Sequence, residues 1–310
     1  MTTGSAHVQL VEVSARDGLQ SEAVVVSTAD KAELIRRAAA AGLRRIEAVS
    51  FVNPNRVPQM ADGAELMALL NAPGFIPQRS DCSFSGLVLN RRGLDNALAA
   101  RVDEINVVVV VSDTFAVKNQ GVDTAGLVEM WHAVGTAARA AGLRTTVTLA
   151  ASFGCPYEGE VSDERFAQVV SAVMEVPPDE LSLADSIGVA SPKQVRERVA
   201  AARAAAAPAT ALRCHFHNTR NTGIANVVAA VEAGVSVIDA SIGGIGGCPF
   251  APNATGNVAT EDVAYALQRM GFTTVLHHEA LHGIVPWLET VVGHQAAGLL
   301  SRAGSFPPSR

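Results

Sequence analysis

The chain has 310 residues, 48% of them hydrophobic, which supplies a large core and excludes the disordered and low-complexity classes. Its formal net charge is −6 with no basic run, which excludes a dedicated nucleic-acid surface but not a site for an anionic ligand. Only Lys31, Lys118 and Lys193 among the basic residues are lysines, a bias that reads as genome composition. No apolar stretch reaches the roughly 18–20 residues of a membrane span. Met1 to His7 lacks the basic and apolar regions of a leader. Four cysteines without a CxxC pair are too few for a disulfide scaffold, so a soluble, reducing, cytoplasmic setting is expected.

Apolar runs of strand length then alternate with helical patterns. The first run is Val8 to Val13, followed by a helix capped by Ser27 or Thr28 and stopped at Gly42. Arg44 to Phe51 and a helix over Gly63 to Leu70 come next, then Ser83 to Leu89 and a helical stretch to Ala100. Glu104 to Val111 is β-branched almost throughout, as a strand buried on both faces should be. A helix over Asp123 to Ala141 follows it. Strands at Thr145 to Ala151, Glu180 to Ala184, Ala211 to His217 and Val235 to Ser241 complete the series. Helices near Asp163 to Met174, Pro192 to Ala206, Gly223 to Ala233 and Glu261 to Met270 follow them in turn.

Eight β/α units with short connections predict a (β/α)8 TIM barrel over about residues 8–271, ahead of an open doubly wound sheet, because no GxGxxG follows the first strand. Residues 276–304 read as one or two appended helices, and with no Pro-, Gly- or Ser-rich linker the chain reads as one domain.

Barrel active sites sit at the C-terminal ends of the strands, and polar residues recur there. Arg16 and Asp17 follow strand one, Glu47 lies near the end of strand two, Asn90 follows strand three, and Ser112 and Asp113 follow strand four. Ser152 follows strand five, Asp185 and Ser186 follow strand six, and His215, His217 and Asn218 close strand seven. Asn90, Ser152, Asp185 and Ser186 are thereby candidates for substrate contact.

Residues i and i+2 of a strand point to one side, so the imidazoles of His215 and His217 can reach one ion. A lone strand histidine is usually a satisfied core residue; two at this spacing, with Asp17 facing them, favour a metal. Mixed imidazole and oxygen donors suit Mg2+ or Mn2+, with Zn2+ still open. Glu47 in an apolar strand needs a partner. Arg16 is the obvious one, either as a structural staple or as part of a site. Cys248 follows the run Gly243-Gly244-Ile245-Gly246-Gly247, whose glycines confer mobility or close backbone approach. Such a loop over a barrel mouth is where a lid belongs. Cys82 and Cys214, in or beside strands, read as small buried hydrophobes.

Taken together, these residues resemble the 3-hydroxy-3-methylglutaryl-CoA lyase family, within the wider group of metal-dependent barrels that make or break carbon–carbon bonds beside a carbonyl. The likeness runs from Val11 to about Met270. It includes Arg16-Asp17-Gly18-Leu19-Gln20, Val57-Pro58-Gln59-Met60-Ala61-Asp62, Gly154-Cys155-Pro156-Tyr157-Glu158-Gly159, His215-Phe216-His217 and Gly246-Gly247-Cys248-Pro249-Phe250. The resemblance implies metal ligands at Asp17, His215, His217 and Asn257, an active-site arginine and glutamate at Arg16 and Glu47, and a reactive cysteine at Cys248. Gln20 joins the substrate-binding candidates as part of the first motif. The implied reaction is a retro-Claisen cleavage of an acyl-CoA. A divalent ion, Mg2+ or Mn2+, lowers the pKa of the substrate hydroxyl, Arg16 stabilises the enolate oxygen, and Cys248 delivers a proton with help from His215.

The sequence departs from the family form at Asn218, where Asp is usual, at Thr219-Arg220-Asn221-Thr222, and at Ala23-Val24, where a lysine is often found nearby. The acyl group is therefore left open between 3-hydroxy-3-methylglutaryl and relatives such as citramalyl. A condensing synthase and a catalytically silent CoA-ester-binding barrel are the competing readings. The expected partner is an acyl-CoA, not a nucleic acid or a membrane, and a homo-oligomer is compatible with the sequence.

Overall fold

A computed structural model describes residues 7–247, 256–304 and 306. In chain order the elements begin β1 (Gln9–Glu12), α1 (Thr28–Ala40), β2 (Arg45–Ser50), α2 (Gly63–Leu70), β3 (Ser83–Leu87), α3 (Arg91–Ala99) and β4 (Glu104–Val110). They continue with α4 (Asp113–Gln120), α5 (Thr124–Ala140), β5 (Arg144–Ala150), α6 (Asp163–Val173), β6 (Glu180–Asp185) and α7 (Pro192–Ala205). Then come β7 (Ala211–Phe216), α8 (Gly223–Glu232), β8 (Val237–Ala240), α9 (Thr260–Arg269), α10 (His278–Val292) and α11 (Leu300–Ala303).

The strands close as β1-β2-β3-β4-β5-β6-β7-β8, all parallel, with β1 paired to β8. This is the (β/α)8 barrel that the alternation predicts. Helices begin where a side chain accepts from the N–H three residues on: Ser27 from Asp30, Asn90 from Gly93, Asp123 from Gly126, Ser162 from Arg165 and Ser191 from Gln194. The sequence reading missed α4. It is a short helix with only Phe115 and Ala116 buried, so its apolar residues do not recur at helical spacing. Among the described residues no helix is long and apolar enough to cross a membrane.

The N-terminal end of the barrel is plugged by charge. Arg45 Nη2 meets Glu104 Oε2 (2.9 Å) and Glu180 Oε1 (3.0 Å), and Arg213 Nη1 reaches Glu180 Oε1 (3.3 Å). These four side chains are almost wholly buried, and each charge there faces an opposite one.

Candidate active site

The opposite end of the barrel is built differently. After β1 the chain makes one π turn, Ser14–Gly18, in which the Val13 carbonyl accepts from the N–H groups of Arg16 (3.2 Å), Asp17 (2.8 Å) and Gly18 (3.1 Å). Single π turns recur at functional sites, and here one packs an arginine and a carboxylate side by side. Arg16 Nη1 donates to Asp17 Oδ1 at 2.7 Å, while its Nε and Nη2 both engage Glu47 Oε1. The expected Arg16–Glu47 pairing is therefore present. Glu47 is fully buried beside a break in the β2–β3 register, an irregularity often found next to active sites. Its second oxygen accepts from Asn106 Nδ2 (2.9 Å), and Asn106 Oδ1 accepts from Thr148 Oγ1 (2.9 Å). A polar chain thus crosses the barrel from β5 to the turn after β1. Burial works against the charge on Arg16, but Glu47 and then Asp17 more than offset it, leaving its pKa above the ordinary arginine value.

At the end of β7 the two-residue spacing places His215, within the strand, and His217, just past it, together, with their Nε2 atoms 3.1 Å apart. His215 Nδ1 lies 3.1 Å from Asp239 Oδ2 on β8. Burial presses down on both rings. Asp239 reverses that for His215, whose pKa is raised, whereas burial and then His215 push His217 down to about 4. Asp17 is part-buried, and its desolvation works to raise its pKa, yet Arg16 and then the two histidines hold its carboxyl well below the usual range.

Asn257 reaches this group by a route outside the barrel's regular strands. Val258 N donates to Phe216 O (3.1 Å) and Asn218 N to Gly256 O (2.9 Å), which lays the segment antiparallel to the end of β7 with Asn257 opposite His217. Asn257 Nδ2 donates to Asp17 Oδ2 (2.9 Å) and to Ile245 O (3.0 Å). Its Oδ1 is buried without a protein partner. The approach requires glycine at two places. A Cβ on Gly246, whose φ is 96°, would lie 2.8 Å from Asn257 Nδ2 and 2.7 Å from Gly18 Cα. One on Gly18 would lie 2.8 Å from Ile245 Cγ1. At Gly246 the glycine run thus serves close backbone approach.

The ligand atoms of Asp17, His215 and His217 all lie within 4.8 Å of one another, a grouping that could hold a metal ion. The orphaned Asn257 oxygen fits the same site, since a buried acceptor without a donor is costly in a protein. Two imidazole nitrogens and two oxygens suit a borderline-to-hard divalent cation.

The other sequence candidates do not join this cluster. Gln20 is half-buried at the end of the turn after Gly18. Asn90 caps α3. Ser152 is fully buried and its Oγ donates to Leu149 O (2.6 Å). Asp185 accepts from Val189 N (2.9 Å) and Ala190 N (3.0 Å), and burial raises its pKa. Ser186 Oγ accepts from Ala151 N (3.0 Å). Asn218 Oδ1 accepts from Gly223 N (3.0 Å), a cap that its amide oxygen makes as an aspartate oxygen would. Cys248 lies outside the described residues.

The sequence does not single out Asn106, Thr148, Arg213 or Asp239, and it offers Gln59 only as part of a family motif, without a role. Gln59 Nε2 donates to Leu19 O (3.1 Å) and Val24 O (3.0 Å), and its Oε1 accepts from Val26 N (3.0 Å), so it clamps the loop that follows the Arg-Asp-Gly turn. A polar residue inside each apolar run was the available signal for Asn106 and Asp239.

Residues 7–287 match the family model described as HMGL-like. A hydroxymethylglutaryl-CoA lyase of Bacillus subtilis is 40% identical over 92% of this chain and 93% of its own length. An (R)-citramalyl-CoA lyase of Chloroflexus aurantiacus is 38% identical over 97% of this chain and 96% of its own. The solved structure of an HMG-CoA lyase from Acinetobacter baumannii, in complex with coenzyme A and 3-methylmalate, superposes with a TM-score of 0.92 at 34% identity, covering 100% of this chain and 99% of that one. On the match over residues 7–287 and these relatives, the chain belongs to the HMGL-like family.

Proposed function

We propose that this protein is a carbon–carbon lyase that cleaves 3-hydroxy-3-methylglutaryl-CoA, or a close 3-hydroxyacyl-CoA, to acetyl-CoA and a keto acid. The observation that carries the reading is the convergence of Asp17, His215, His217 and the unpartnered Asn257 oxygen beside Arg16 at the open end of the barrel. Those four residues would hold Mg2+ or Mn2+, which when bound supplies Lewis acidity toward the substrate's oxygens. Cleavage passes the hydroxyl proton to a base, for which Asp17 is the proposed candidate, breaks the bond to the acyl-CoA α-carbon, and sends that electron pair into the thioester as an enolate. Arg16 is locked by Glu47 on one side and Asp17 on the other, so its remaining N–H groups are preorganised for the enolate oxygen. Glu47 holds Arg16, and Asn106 holds Glu47. The enolate carbon then takes a proton, and Cys248 is the proposed donor, with His215 assisting. Gln20, Asn90, Ser152, Asp185 and Ser186 are proposed to contact the substrate or shape the loops that do. A reducing cytoplasm is the proposed setting. The described cysteines Cys82, Cys155 and Cys214, all free and buried, support it.

Citramalyl-CoA is the second substrate to test, because the (R)-citramalyl-CoA lyase matches over a larger share of this chain at nearly equal identity. The experiment is a CoA-ester panel with Mg2+ or Mn2+, scored for acetyl-CoA and keto acid. Metal-dependent cleavage of one ester supports the reading. Failure to cleave any of them, or condensation of acetyl-CoA with release of free CoA, overturns it.

A further inference from the structure

The two histidines at the end of β7 are not held alike. His217 Nδ1 is buried without a partner. His215 Nδ1 meets Asp239 Oδ2 at 3.1 Å, and the other oxygen of the same carboxylate, Oδ1, is engaged by Arg213 Nε. Arg213 is fully buried, with Glu180 Oε1 at 3.3 Å from its Nη1 and Glu47 Oε2 at 4.0 Å from its Nη2. Asp239 thus stands between a permanent cation and a ring nitrogen, and each of its oxygens faces one nitrogen.

We propose that Asp239 is a positioning residue: it fixes the proton of His215 on Nδ1 and so leaves Nε2 as a free lone pair aimed at Asp17 and His217. The inference rests on the metal-site reading above and adds to it what selects the ligating tautomer. A neutral imidazole carries one N–H, and the partner of one nitrogen decides the role of the other. An aspartate accepts at both oxygens, so Arg213 and the His215 Nδ1–H are satisfied together. An asparagine has a single acceptor. Arg213 cannot lose its proton and would keep that oxygen, turning the amide N–H2 toward His215. The ring would then accept at Nδ1 and carry its proton on Nε2, where no cation can bind. Carboxylate partners of metal-binding histidines act in this way, and their loss typically lowers metal affinity about 10–100-fold.

The same geometry predicts what should repair the defect. If Arg213 is replaced by glutamine in the asparagine background, the amide oxygen is free to turn back to the ring. Mn2+ affinity is measured calorimetrically on the full chain for wild type, Asp239→Asn and Asp239→Asn/Arg213→Gln, with thermal midpoints recorded for each. The expected result is a loss of about 10–100-fold in Asp239→Asn and a partial recovery in the double variant despite its lower midpoint. Affinity in folded Asp239→Asn within threefold of wild type overturns the proposal. So does affinity that simply tracks the midpoint through both variants, which would mark Asp239 as structural. Should a variant fail to fold, 15N spectra of histidine-labelled wild type with Mg2+ decide. An Nδ1–H on His215 supports the proposal, and an Nε2–H overturns it. Wild type that takes up no divalent metal fails the site reading itself, a different result from wild-type uptake with an unaltered Asp239→Asn.

Discussion

The two ends of this barrel use the same chemistry to opposite effect. At the N-terminal end, Arg45, Arg213, Glu104 and Glu180 lie almost wholly buried with each charge facing an opposite one. At the C-terminal end, Arg16 and Glu47 also pair while buried, but the residues beside them do not cancel out. Two imidazole nitrogens sit 3.1 Å apart, and an amide oxygen has no donor. Buried arginine–carboxylate pairs occur at both ends, so their presence does not mark function. What differs is the grouping at the C-terminal end, where Asp17, His215 and His217 bring possible ligand atoms within 4.8 Å of one another.

That contrast is broken most directly at the closed end. In Glu180→Gln, Arg45 and Arg213 lose their shared carboxylate. Breaking one partner of a buried ionic group costs roughly 3–5 kcal/mol, so the thermal midpoint should drop steeply while the rate per folded molecule stays near wild type. Burial works to raise the pKa of Glu180, but Arg213 and Arg45 outweigh it and hold it at about 2. A depressed folded pKa means that the stabilisation is complete above the ordinary glutamate range and is lost as pH falls toward about 2. Acid unfolding of wild type should therefore be steeper than that of Glu180→Gln. A variant as stable as wild type would show that the closed end is not held by these charges.

At the open end the expected effect shifts from stability to rate. Arg16→Gln leaves the buried Glu47 carboxylate with Asn106 and so should also lower the thermal midpoint, but the folded variant should lose about 10²–10³ in turnover, the usual result of removing one preorganised oxyanion donor. Single-turnover measurement of acetyl-CoA release on the metal-loaded variant tests it. Turnover within tenfold of wild type would remove Arg16 from enolate stabilisation and leave it as a staple for Glu47.

The sequence made one of these ends far more legible than the other. Strand-length runs alternating with helices lead to a closed barrel because parallel strands need crossovers, and the two-residue spacing of His215 and His217 is itself a geometric statement. Asp17 is legible as a carboxylate at a strand end. Asn257 is reached only through the family resemblance, because it meets His217 through an isolated bridge beyond the last barrel strand, which no periodicity encodes. Asn106, Arg213 and Asp239 are similarly hidden. A polar residue in a strand looks the same whichever strand lies across the barrel, and only closure puts Asn106 against Glu47 or Arg213 against Asp239. The glycine run is open to two readings from sequence, mobility or close approach. At Gly246 the backbone contacts with Gly18 and Asn257 decide for approach.

The smallest effect belongs to a charge pair that lies outside both clusters. His294, in the segment after α10, sits with Nε2 2.7 Å from Glu22 Oε2 on the loop after the Arg-Asp-Gly turn, and Ser21 in the same loop donates to Gly247 O at 2.7 Å. The segment carrying His294 thus touches the loop that borders the ligand cluster. The His294 pKa is raised, first by its backbone contact with Gln295 and then by Glu22. A raised folded pKa means that the contribution is fully present below the ordinary histidine value and is lost as pH rises through the folded one. Half the His294 side chain is exposed, so solvent screening confines the contribution to about 0–1 kcal/mol. His294→Gln should accordingly lower the thermal midpoint slightly at pH 6 and hardly at all at pH 9, and added salt should shrink the difference further. Metal affinity should stay at the wild-type value, since neither residue touches the ligands. A larger loss at pH 9 than at pH 6 would reverse the sign and show that the imidazole acts there by packing rather than by charge.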